Sequence, residues 1–100
     1  MFYTISQNNV HGFNIENEVV GDYLIVEADS LDEAEDIILD ITLNNDDYCE
    51  CCGSRWNGEI HNKQGTVSPY IYDTELDIYI LLNSKSIRIH LKDGCIIKYY

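Results

Sequence analysis

One hundred residues with eighteen Asp and Glu against six Lys and Arg carry a formal charge of −12, and that length holds one hydrophobic core rather than two. A hydrophobic fraction of 45% with eight Tyr is too high for a disordered acidic tail, so a single packed domain spanning 1–100 is expected. The acidity is one-sided: thirteen of the acids and none of the bases fall in the first 54 residues, a separation that creates a field and so selects partners.

Phe2 to Ser6 is β-rich and weakly alternating. It has neither a basic start nor a long apolar run, which argues against a signal peptide, and no stretch approaches the ~18–20 apolar residues of a membrane span. After a polar turn at Gln7 to Gly12, Phe13 to Glu16 and Gly21 to Ala28 read as strands, with Tyr23, Ile25 and Val19 on one face. Ser30-Leu31-Asp32-Glu33 is a capping-box pattern that opens an amphipathic helix at about residues 31–43. Leu31, Ala34, Ile37, Ile38 and Ile41 form its apolar stripe.

A loop rich in Cys, Gly and Asn runs from Tyr48 to about Gly65, and Thr66 to Tyr72 reads as a strand that Pro69 confines to an edge or bulge. Leu76, Ile78, Ile80 and Leu82 alternate, as do Ile87, Ile89 and Leu91, so two more strands are predicted. Asp93-Gly94 suits a two-residue type I′ hairpin. That turn pairs Leu91 with Ile96, His90 with Ile97 and Arg88 with Tyr99, with Arg88, His90, Lys92 and Cys95 on the polar face. The predicted fold is α+β: an antiparallel sheet of about five to seven strands, covered on one face by one main helix.

Three constellations bear on chemistry. Cys49 and Cys52, in Cys49-Glu50-Cys51-Cys52-Gly53, have the C-x-x-C-Gly spacing of a zinc knuckle. A closed tetrahedral zinc site needs two more ligands, from Cys51, His61, His90 or Cys95; the other reading is reduced thiols packing a crowded loop. Arg55-Trp56 could stack on a base or grip a phosphate, or serve as a core plug with its ion-pairing neighbour. Asp32, Asp36 and Asp40 stand one helical turn apart with Glu33 and Glu35 beside them. Each such like-charge pair costs roughly 0.2–0.5 kcal/mol with no Lys interleaved. The column is either a solvated face that keeps the chain soluble or a row of carboxylates spaced like phosphates. Ile, Asn and Tyr are plentiful, as AT-rich coding produces, yet Lys occurs four times, so base composition does not explain the acidity. No Ser–His–Asp or Cys–His arrangement and no Gly-rich phosphate loop is visible.

The Cys49-to-Trp56 run resembles small proteins of tailed bacteriophages. Phe2 to Asn9, Glu27-Ala28-Asp29-Ser30 and Lys92-Asp93-Gly94 share in the likeness, which covers most of the chain and carries no catalytic residues with it. The resemblance implies an accessory phage protein in the bacterial host cytoplasm.

The leading functional expectation is a non-enzymatic inhibitor or modulator. It would dock Asp32, Glu33, Asp36, Asp40, Asp46 and Asp47, as a DNA-mimicking surface, on a basic face of a host or anti-phage defence protein, with no direct nucleic-acid or membrane partner. The alternative is a protein that sequesters a nucleotide signal through Arg55, Trp56, Arg88, His90 and Lys92. No cofactor is expected beyond a structural zinc on Cys49 and Cys52.

Overall fold

The computed structural model describes residues 1–7, 16–44 and 60–100. Strand β1 (Phe2–Ser6) pairs antiparallel with β2 (Tyr23–Glu27), Phe2 lying opposite Glu27 and Ser6 opposite Tyr23. The pairing is continued by hydrogen bonds from the Gln7 amide to the Asp22 carbonyl and from the Ala28 amide to the Met1 carbonyl. The predicted strand at Phe13 to Glu16 falls largely outside the described residues.

Helix α1 (Leu31–Asn44) starts where the capping pattern places it. The Glu33 amide donates to Ser30 Oγ at 3.2 Å, so a side chain satisfies one of the amides that the first turn leaves without a partner. Ala34 and Ile38 are buried against Tyr3, Ile5, Leu24 and Val26, with Leu31, Ile37 and Ile41 packed around them.

The next elements depart from the alternating pattern. Thr66 makes only an isolated bridge to Phe2; after Pro69, β3 (Tyr70–Ile71) pairs with β4 (Thr74–Glu75) as a two-stranded sheet. Leu76–Leu82, expected as a strand, is helix α2. Leu76, Tyr79 and Ile80 fall at i, i+3 and i+4 and pack against Ile25, Ile87 and Ile89, whereas Ile78, Leu81 and Leu82 are exposed. Six of its seven residues are apolar, so its sequence satisfies a period of two and a period of 3.6 alike; burial follows the helical one.

Strand β5 (Ile87–His90) joins β2 in parallel, Tyr23 beside Ile87, and β6 (Ile96–Tyr99) returns antiparallel on its far side. The main sheet is therefore mixed, with order β1-β2-β5-β6. It has four strands rather than the five to seven expected, and its two central strands run the same way rather than antiparallel. Both of its faces are covered: α1 lies on one and α2 on the other. Adjacent strand residues point to opposite faces, which is why Leu24, Ile25 and Val26 are all 0% exposed.

The last hairpin is shifted by one residue from the type I′ expectation. Arg88 lies opposite Lys98 and His90 opposite Ile96, while the Leu91 amide donates to the Cys95 carbonyl and the Gly94 amide to the Leu91 carbonyl. The loop is thus three residues, Lys92 to Gly94, ending in a left-handed glycine at φ +92°, the alternative that Asp-Gly also suits. The shift puts Ile97 and Tyr99 beside Ile89 and Ile87 on the α2 face.

Candidate functional site

The exposed side of α1 carries Asp32, Glu33, Glu35, Asp36 and Asp40, and the last turn has no base. Anchoring by Ala34 and Ile38 fixes this face relative to the sheet. Beside it, between α1 and the β5–β6 hairpin, lies an open groove of about 340 Å³. Ile37, Ile41 and Leu91 supply its apolar lining, and Glu27, Glu33, His90 and Lys92 its polar rim. Glu33, Ile37 and Ile41 occupy successive turns, so the groove runs directly into the acidic face. Asp46 and Asp47 lie outside the described residues.

The basic side chains of the hairpin are turned onto the acidic segment before α1. Arg88 is buried and donates from Nε to the Asn17 carbonyl at 2.7 Å, and from Nη1 to the carbonyls of Ile87 at 3.1 Å and Tyr99 at 3.3 Å. His90 Nε2 lies 2.7 Å from the Val19 carbonyl; a carbonyl only accepts, so this nitrogen carries the proton. Lys98 pairs with Glu18 and Lys92 with Asp29, and the hydrogen bond and charge of each lysine hold its partner carboxyl below the ordinary range. The Lys92 amide also donates to Glu27 Oε1 at 2.9 Å.

Of the residues expected to grip a nucleotide, Arg88 is therefore committed to backbone carbonyls, and His90 and Lys92 bind the chain itself. Arg55 and Trp56 lie outside the described residues, as do Cys49 and Cys52. Among the described residues, no group of three or more His, Cys, Asp and Glu could hold a metal ion. Cys95 is exposed and free, and a hydrogen bond to the neighbouring Asp93 carboxylate pushes its thiol pKa up, away from the reactive thiolate.

An aromatic cluster that sequence reasoning did not single out lies at the opposite end of β2. Tyr72 is the first residue of the two-residue β3–β4 turn and has φ +54°, a left-handed conformation that costs a non-glycine residue about 1–2 kcal/mol. Its ring stacks on His61 at 4.2 Å and 10°, and Tyr23 stands edge-on to both at 6.1–6.2 Å. The Tyr79 hydroxyl donates to the Tyr23 hydroxyl at 3.1 Å, and burial together with this hydrogen bond raises the Tyr23 pKa well above the usual phenol range. The only sequence signal was the abundance of Tyr.

Burial holds the His61 pKa below its ordinary value of 6.5. The unfolded chain therefore takes up this proton before the folded one does, and stability from this group falls as pH drops below 6.5. The melting temperature of the wild type, compared with His61→Phe, is expected to fall more steeply between pH 7 and pH 5.5; parallel curves would show that His61 does not contribute.

The chain belongs to the family described as Domain of unknown function (DUF7296), whose model matches residues 1–100. Comparison with curated proteins and with solved structures gives no match. Among the described residues, no helix is long and apolar enough to cross a membrane.

Proposed function

We propose that this chain is a non-enzymatic binding protein whose α1 face docks on a basic surface of another protein and inhibits or modulates it. The observation that carries this reading is the junction of two features: an exposed carboxylate column on α1 and, beside it, an apolar groove rimmed by Glu27, Glu33, His90 and Lys92. Charge brings a basic partner to this face quickly, and the groove gives one apolar or long cationic side chain a place to be buried. A column of carboxylates one helical turn apart presents anionic groups in series, so a surface that normally holds nucleic acid is the favoured target. The resemblance to tailed-phage proteins supports a host or defence protein as the partner.

The test is capture of partners from bacterial lysate at low and at high salt, using wild type and the triple variant Asp32→Asn, Asp36→Asn, Asp40→Asn. Screening acts over about 8 Å at physiological ionic strength, so wild-type capture is expected to weaken with salt. The triple variant should lose about ten-fold or more at low salt. Partners without a basic surface, retained equally by wild type and variant, would overturn the reading.

A further inference from the structure

The main sheet has two outer edges, and the chain treats them differently. Along β1, Phe2 exchanges two backbone hydrogen bonds with Thr66, and the Thr4 carbonyl accepts the His61 amide, so this edge is covered. Along β6, the bond from the Leu91 amide to the Cys95 carbonyl fixes the alternation of the ladder. Hydrogen-bonded pairs alternate along antiparallel strands, so Ile97 and Tyr99 bond Ile89 and Ile87. The amides and carbonyls of Ile96 and Lys98 therefore point away from β5, and they have no partner among the described residues.

Such an edge templates pairing with another chain unless proline, a bulge or a charged side chain blunts it. The one charged residue of β6 is Lys98, and its ammonium is set against Glu18. Ile96 and Ile97, each 39% exposed, put an apolar side chain on either face of the strand. On the α2 side a groove of about 220 Å³ opens beside the strand, with Pro69, Leu76, Ile89, Ile97 and Tyr99 in its lining.

Charge decides which chain can pair there. Helix α1 packs over Tyr3 and Ile5 of β1 and Leu24 and Val26 of β2, at the other end of the order β1-β2-β5-β6. Two copies joined through β6 would hold their β2 strands five spacings apart, roughly 24 Å. That is about three Debye lengths at physiological ionic strength, so the two acidic faces are screened from one another. Residues 55–100, which contain this edge, carry six bases against five acids.

We propose that β6 pairs antiparallel with β6 of a second copy, forming a two-fold dimer with one continuous eight-stranded sheet. Ile97 lies at the two-fold axis, and Ile96 of each copy stands opposite Lys98 of the other. This register satisfies every outward amide and carbonyl of both residues and brings the two Ile97 side chains together at the groove. Four residues a side are a small interface beside the roughly 800 Å² per partner of a stable one, so the dimer is weak and reversible. The edge is separate from the acidic face, and the proposal does not depend on the reading of that face.

The test is sedimentation velocity of the full chain from about 5 μM to about 1 mM, a range suited to a weak interface. Wild type is expected to pass from monomer to dimer, and amide exchange at Ile96 and Lys98, read by NMR, to slow several-fold with concentration. In Lys98→Pro no ladder bond is lost, because this amide faces away from β5, so melting should stay cooperative while dimerisation weakens about ten-fold or more. Lys98→Gln, which keeps the amide, should dimerise at least as well as wild type. A monomer at every concentration would overturn the proposal and leave the edge to an extended strand of another protein. A dimer that forms without slowing exchange at Ile96 and Lys98, or that survives in folded Lys98→Pro, would overturn it as well.

Discussion

Arg88→Met is expected to lower stability by about 3 kcal/mol in urea unfolding, the scale of lost hydrogen bonds from a charged donor together with stranded buried acceptors. Met preserves most of the stem volume, so the experiment isolates the guanidinium. Replacing a buried ion pair by apolar groups is often neutral, because both desolvated charges disappear together. Arg88 differs in that its partners are the carbonyls of Asn17, Ile87 and Tyr99, which remain when the cation is gone. The bond to Asn17 also ties down the segment that seats Val20, which is 0% exposed. Arg88→Lys should fall between wild type and Met, keeping the charge but not the planar fork. A loss below about 1 kcal/mol for Met would mean that the guanidinium does not hold this segment.

Leu24→Ala and Ile25→Ala should each cost about 2–5 kcal/mol. They are neighbours on one strand and point to opposite faces of the sheet, Leu24 into the core under α1 and Ile25 into the core under α2. A sheet covered on one side only would tolerate one of the two changes almost without cost. Equal, large losses therefore test the second layer directly, and an Ile25→Ala cost near zero beside a full Leu24→Ala cost would remove α2 from the packed structure.

What could be read in advance was local. The Ser30 cap, the stripe from Leu31 to Ile41 and the strand runs at Phe2 and Ile87 each declare themselves within a few residues, through capping chemistry or a single dominant period. The second helix did not, because a run as apolar as Leu76 to Leu82 fits either period and only the packing of Leu76, Tyr79 and Ile80 decides. A signal for burial on both faces was present in the unbroken Leu24-Ile25-Val26, a pattern that central parallel strands share. The acidic face was legible because charge on a helix exterior needs no tertiary partner to be recognised. Of the expected basic face, Arg88, His90 and Lys92 meet Asn17, Val19 and Asp29, contacts between distant stretches that no local pattern displays. The Tyr72–His61–Tyr23 cluster was hidden for the same reason.

The parallel register of β2 and β5 sets an order of assembly. The β5–β6 hairpin closes over three residues and can form within microseconds, and β1 needs only β2. The central seam has to wait until α1, α2 and everything between them have been drawn together, so its closure entropy is spent before its contacts reward it. In that interval Leu24, Ile25 and Val26 on one hairpin, and Ile87 and Ile89 on the other, line open inner edges that would pair as readily with another copy as with each other. A charge of −12 spread over every copy opposes that encounter at long range. The acidity thus keeps unfinished chains apart during synthesis.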